Sequence, residues 1–384
     1  MKSRLLTLRA AGFLLFFIFL LLLLLTNTQT AMEGVRQGLS LCTETLFPSL
    51  FPFLVLSELL IARNAGELLG RFVGKPISRL FGLSPNGTAA LLLGALCGFP
   101  VGTTSAVALC ERGEISEDEL HRLLLFGNNP SSGFLVGAVG GALFGSNGIG
   151  TALFFIIWAS AAAVGILLRI RLGAVEKVPD IPRNGIKNPP SVKDFTGSVT
   201  RGFSAILQVF AFVLFFSCIS ACLAPILQAL QLPSLCNVLL CGILEMTSGI
   251  HTAVTALSPA AAFRLTAFFS GFAGLSVCLQ LFFVAEKYRP RLLPYLGARL
   301  AQGTVALGLA EIYLRLVHPA FGVTNSIMTF AANTVQQRST VGVLLLLPSL
   351  ILLLSLVSKR KTASPQCDVL SGEFKDLTKC ERRI

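Results

Sequence analysis

The sequence predicts an all-α polytopic membrane protein: about eight transmembrane helices plus two re-entrant hairpins arranged as an inverted repeat. Three observations predict it. Of 384 residues 53% are hydrophobic and only 13% are charged, with a mean hydropathy of +0.75, whereas an average soluble domain is about a quarter charged. Two apolar stretches, 93–109 and 240–257, are cut in the middle by helix-breaking and hydroxyl residues. They match at an offset of 147 positions, with Gly102 falling on Gly249, Ala106 on Ala253 and Val107 on Val254. Finally, basic residues gather in short clusters beside apolar segments, the pattern that marks cytoplasmic loops.

Residues 1–34 read as a first span. The apolar run 10–26 follows Lys2, Arg4 and Arg9, is longer than the roughly 7–15-residue core of a signal peptide, and ends in a poor cleavage site, so it is retained. A first repeat, 35–170, holds the span 39–62, a hairpin at 85–110, the span 122–145 and a further span 149–170. A basic linker, 171–200, leads to a second repeat, 201–290, with the span 203–230, a hairpin at 233–258 and the span 262–284. The segment 291–358 adds 292–317 and 339–357, and 359–384 is a cytoplasmic tail. The seventh span is the weakest, because Arg299, Glu311 and Arg315 make it amphipathic. It either crosses or lies in the interface, with Glu311 and Arg315 spaced to pair on one helix face.

The loops decide how the broken segments run. If both crossed completely, the loop with Arg169, Arg171, Lys177, Arg183, Lys187 and Lys193 would lie outside, against the charge rule. If each enters and returns on one side, that loop, the loops 63–84 and 286–291 and the tail at Lys359 all fall inside. The two hairpins then face opposite sides of the membrane.

Several function classes drop out. The formal charge of +12 is explained by loop clusters, not by a nucleic-acid surface. The ten cysteines show no metal-ligand spacing; Cys97, Cys218, Cys222, Cys241 and Cys278 lie in apolar runs, where a small polarizable side chain packs well. No Walker loop, His-Glu-x-x-His helix or Gly-x-Ser-x-Gly elbow occurs, so neither ATP-driven transport within the chain nor intramembrane metalloproteolysis is supported. The acidic loop 111–119 has the mixed charges of a solvated helix start, without calcium-loop spacing. The expectation is a protein that is not an enzyme, with no cofactor and no metal.

Candidate functional residues sit at the breaks, since unwound backbone in lipid must be satisfied by protein, water or ligand. In the first hairpin these are Gly98, Phe99, Pro100, Gly102, Thr103 and Thr104. Proline removes a donor, glycines permit sharp dihedrals and hydroxyls bond backbone or ligand, a kinked helix with self-bonded hydroxyls being the alternative. In the second they are Glu245, Thr247, Ser248 and Gly249. A carboxylate at mid-membrane costs about 2.5–3.5 kcal/mol on insertion scales and is functional by default, or else ties the free amides of its own hairpin together. Asn128, Asn129 and Ser131 flank Pro130 in the next span, with Ser270-Gly271-Phe272-Ala273-Gly274 as their counterpart; they hold ligand, or form a kink with small residues for helix packing. His251 is more often a core residue than a proton relay, Glu58 lies near the end of its span, and Pro48 and Pro52 bend that helix to line a pathway or fit around a hairpin.

The runs Phe47-Pro48-Ser49-Leu50-Phe51-Pro52-Phe53, Cys97-Gly98-Phe99-Pro100-Val101-Gly102, Asn128-Asn129-Pro130 and Leu244-Glu245-Met246-Thr247-Ser248-Gly249 resemble the sporulation integral membrane protein family called YlbJ, over most of 35–290. The resemblance implies Gate, or nucleoside-recognition, domains with repeats similar to those of concentrative nucleoside transporters. It also implies a role in the outer forespore membrane, moving dipicolinic acid toward the forespore. Gly98-Phe99-Pro100 stands where many relatives have Gly-Tyr-Pro, which removes a phenol from the site. Besides the lipid bilayer, the implied partner is a small anionic aromatic substrate, against which Phe99 and Phe272 could pack, or a nucleoside, which Glu245 could bond directly. A coupling ion and a homo-oligomer stay open, and a non-transporting scaffold of the spore envelope is the other class.

Overall fold

Every described element is a helix, and among the described residues there is no strand. A computed structural model describes residues 2–62, 74–175 and 192–317. All belong to the unit Met1–Thr324; a second unit, Asn325–Ile384, lies outside them, and with it the expected span 339–357 and tail 359–384. The stretches 63–73 of the basic loop and 176–191 of the linker also fall outside.

The helices are α1 (Lys2–Thr26), α2 (Thr28–Ser40), a π-helical turn (Leu41–Leu46), α3 (Phe47–Ala62) and α4 (Gly74–Phe81). The first hairpin is α5 (Pro85–Cys97) and α6 (Val101–Glu111), followed by α7 (Glu117–Phe126), a π-helical segment (Gly133–Leu143) and α8 (Asn147–Leu172). The second half has α9 (Val192–Ala229), the hairpin α10 (Ser234–Leu244) and α11 (Met246–Ala256), then α12 (Pro259–Phe272), α13 (Gly274–Val284) and α14 (Leu292–Val317).

Among the described residues five helices are long and apolar enough to cross a membrane, Thr28–Leu56, Asn147–Leu172, Val192–Ala229, Pro259–Val284 and Leu292–Val317, or six if α4 and α5, bent by 101°, make one. The chain is therefore a polytopic α-helical membrane protein. Two expected continuous spans are interrupted instead. The segment 122–145 is α7, an irregular stretch and a π-helical segment, because Asn129-Pro130 cannot continue a helix. The segment 262–284 breaks between α12 and α13 at Ala273, φ 71°, and Gly274, φ 74°. Boundaries shift as well: α2 straddles the expected division at residue 34, and α9 begins at Val192, inside the expected linker. The expected 292–317 segment is one helix that buries Tyr295, Arg299, Gln302, Gly303, Ala306 and Ala310 against its neighbours, so Arg299 and Gln302 face protein while Arg315 stays exposed.

Small residues set the packing, as they must where lipid supplies no hydrophobic drive between helices. Gly34 and Gly38, one turn apart on α2, let it close on α9 at Ser217 and Ala221. Ahead of Pro48 the chain takes the wider π-helical turn, which relieves the clash of a proline ring with the carbonyl four residues earlier.

Both broken segments double back. Along a continuous helix Gly94 and Gly102 would be about 12 Å apart at 1.5 Å per residue. Here a Cβ placed on Gly102 would lie 2.8 Å from the Gly94 Cα, and one on Gly249 would strike Gly242. The hairpin arms thus cross at paired glycines. Gly102→Ala is expected to wedge the first hairpin open, costing about 1–3 kcal/mol as overpacking does; a lower melting temperature of the purified protein in detergent checks it, and an unchanged one counts against the crossing.

Contacts between elements come in matched pairs: α7 touches α14 as α12 touches α8, and α13 touches α6 as the π-helical segment Gly133–Leu143 touches α11. α3 and α9, the long helices that open the two halves, pack on each other.

Candidate functional site

Four helix interruptions converge: the tip of the first hairpin at 98–100, the stretch 127–132, the tip of the second hairpin at Glu245 and the break at Ala273-Gly274. Between them lies a cavity of about 60 Å³, room for a few water molecules and narrower than the ~300–1,000 Å³ of open small-molecule sites.

At the first tip, α5 ends on Gly98 with φ 74°, whose amide donates to Gly94 O at 2.8 Å. The tip is then fastened to the interruption that follows it. Phe99 N donates to Asn129 O at 3.0 Å, Thr103 Oγ1 to Asn128 Oδ1 at 3.2 Å, and Ser132 Oγ to Leu96 O at 3.3 Å. The Phe99–Pro100 peptide is cis. The far end of α5 is capped by Ser84, whose amide donates to Glu119 Oε1 at 2.7 Å. Glu119 is fully buried, although the acidic loop around it reads as a solvated helix start; Ser116 does cap α7 as that reading requires.

The second tip is a single residue. Glu245 is 2% exposed and folds its carboxylate over the start of α11, Oε1 accepting from Thr247 N at 2.9 Å and Oε2 from Ser248 N at 2.6 Å. The positive end of the helix thus holds the negative charge. Of the two sequence alternatives for Glu245, the structure places it as the group that ties its own hairpin together, while it also lines the cavity. Gly274 packs against Met246 N, and a Cβ there would lie 3.1 Å away.

The cavity is lined by Phe99, Asn128, Asn129, Ser131, Glu245 and Thr247 among the sequence candidates. Leu46 from the π-helical turn, Leu50 from α3, Phe134, and Val209 and Val213 from α9 make its apolar wall. Gly98, Pro100, Gly102 and Gly249 shape the tips without lining the cavity, and Thr103 reaches it through Asn128. Thr104 is a correction: it is exposed and bonds back to Pro100 O and Val101 O at 3.3 and 3.1 Å, since adjacent helical residues point about 100° apart and only one of the two threonines can face in. Phe272 is another, stacked on Phe268 at 5.9 Å and away from the cavity. Ser248 is half-buried and shares a hydrogen bond of 2.9 Å with Ser217 of α9.

Two charges singled out in the sequence serve elsewhere. Glu58 pairs with Arg201 at 2.7 Å, joining α3 to α9, and Glu311 pairs with Arg315 at 2.7 Å, the spacing expected of one helix face, and also with Arg264 at 2.6 Å. Among the described residues no group of His, Cys, Asp and Glu could hold a metal ion.

Sequence reasoning missed the polar residues behind the cavity. Ser276 and Gln280 of α13 line it, joined by a hydrogen bond of 3.1 Å. Behind Asn129 stand Gln302, which donates to Asn129 Oδ1 at 2.6 Å, and Arg299, which donates to Gln302 Oε1 at 2.7 Å. Their signal was present: 299 and 302 are one turn apart, on the same face as Tyr295 and Ala306.

Helix breaks that meet around a small cavity inside an apolar bundle define a class, the polytopic integral membrane proteins built from discontinuous helices. The chain is 30% identical to the sporulation integral membrane protein YlbJ of Bacillus subtilis over 345 aligned residues, covering 79% of this chain and 82% of that one. It belongs to the YlbJ family of sporulation integral membrane proteins. No protein-family model matches the sequence, and no solved structure matches the fold.

Proposed function

We propose that this sporulation membrane protein is a transporter that carries dipicolinic acid across the outer forespore membrane, through the cavity between its two re-entrant hairpins. The observation that carries the reading is that both hairpin tips, through Phe99 and Glu245, line one cavity together with the two interruptions that follow them. In secondary transporters, discontinuous helices in corresponding places of two halves hold the solute near mid-membrane. The matched contacts of the two halves support an inverted repeat of Gate-like units, and the basic residues beside α8 and α9 support cytoplasmic loops there.

The anionic aromatic substrate fits the lining. Glu245 accepts from two amides of its own helix, which turns its carboxylate toward the backbone and weakens the repulsion that a free carboxylate would exert on a dianion. Phe99 and Phe134 offer aromatic walls. A nucleoside is the competing substrate, favoured by the neutral acceptor Gln280 Oε1, which lines the cavity without a hydrogen-bond partner. Uptake of dipicolinic acid and uridine into proteoliposomes, measured side by side, tests the reading. Saturable uptake of dipicolinic acid with none of uridine is the expected result. Uptake of uridine alone makes it a nucleoside carrier, and uptake of neither leaves a scaffold of the spore envelope.

A further inference from the structure

Arg299 is the largest fully buried side chain of the described residues, with 0% exposure. An arginine stays charged in any protein environment, and a charge in the interior of a membrane bundle demands a partner. No described carboxylate forms an ion pair with it. Its Nε donates to Phe272 O, the last carbonyl of α12, at 3.5 Å; its Nη1 donates to Gln302 Oε1; and its Nη2 has no partner. A helix C-terminus offers roughly half a negative charge, so the guanidinium keeps an excess of positive charge next to the cavity wall.

Its second effect is on polarity. A guanidinium only donates, so Gln302 must turn its oxygen toward Arg299 and its amide nitrogen toward Asn129 Oδ1. Asn129 in turn must send Nδ2 to Phe126 O, 2.8 Å away. One charge thereby fixes the orientation of both amides and the position of the Asn129 backbone, which holds the first hairpin tip through Phe99 N. Asn128, held next in sequence and accepting from Thr103, turns Nδ2 toward the Tyr295 hydroxyl.

We infer that Arg299 is the specificity-determining positioning residue of the cavity, holding Gln302, Asn129 and through them the first hairpin tip in place, and setting positive potential behind the wall that a carboxylate of the ligand faces. The inference rests on the transport reading and adds to it the source of charge selection. Arg299 does not line the cavity; its influence is relayed.

The test compares pyridine-2,6-dicarboxylate with its uncharged diamide as probes, by uptake and by binding to the full-length protein in liposomes. Wild type is expected to favour the dicarboxylate by about tenfold or more, as charge-assisted hydrogen bonds are roughly twice as strong as neutral ones. Arg299→Gln should bring the ratio close to unity. Because loss of a buried arginine can also cost folding, Gln302→Glu is the companion: it sets a carboxylate against the guanidinium, cancels its excess charge and, having no amide N–H, gives up the bond to Asn129 Oδ1, so it should lower the ratio too. A purely structural role would lower uptake of both probes equally and leave the ratio standing, which overturns the inference, as does a wild-type ratio near unity. Wild-type protein that neither binds nor moves either probe sinks the transport reading itself and this assignment with it.

Discussion

Glu245→Ala is expected to lower stability by about 2–6 kcal/mol, two amides, one buried and one partly so, each losing an acceptor at about 1–3 kcal/mol apiece. The carboxylate that satisfies Thr247 N and Ser248 N is 2% exposed, and the cavity beside it offers those amides no protein group in exchange. Glu245→Gln retains one acceptor oxygen and should lose about half as much. Thermal unfolding in detergent orders the three proteins, and uptake should fall in the same order as the folded fraction. If Glu245→Ala melts like wild type while uptake vanishes, the side chain contacts solute directly and its capping role is secondary.

Gly98→Val should be more damaging to the first hairpin than any change of its polar side chains. Gly98 has φ 74°, a left-handed backbone that costs an L-residue roughly 1–2 kcal/mol and a β-branched residue more. A Cβ there would also run into the backbone of Ser131, one of the cavity-lining residues. The tip and the facing stretch 127–132 would have to separate, breaking the bond from Phe99 N to Asn129 O. Expected are loss of uptake and either failure to accumulate or a melting temperature lowered by several degrees. A stable, active Gly98→Val protein would mean that the tip does not pack on Ser131.

Much of this was legible because glycine and proline act locally. The hairpins read from sequence as 85–110 and 233–258 match arms of Pro85–Cys97 with Val101–Glu111 and Ser234–Leu244 with Met246–Ala256, since the breakers determine the backbone wherever the helices pack. The break at Ala273 was less legible: an alanine in the left-handed region is imposed by tertiary packing and leaves no mark in composition. Glu58 could be placed near a helix end but not on Arg201, because that pairing joins residues 143 apart. The site was half visible. Gly98, Phe99, Asn128, Asn129 and Glu245 stand out as breakers and amides in apolar runs, whereas Arg299 and Gln302 made the segment 292–317 look interfacial. Hydropathy counts a charge against a span whichever way it points, and only the stripe of 295, 299, 302, 306 and 310 shows that this one points into the bundle.

The two tips reach the same chamber by different means, and that difference sets what each can do. The first depends on groups from the 127–132 stretch for its unmet backbone donor, so displacing it strands peptide dipoles in a dry interior. The second carries its own counter-group in Glu245 and touches α9 through the hydroxyl pair of Ser217 and Ser248. One end of the chamber borrows its backbone partners from the next stretch of chain, and the other supplies them from within its own hairpin.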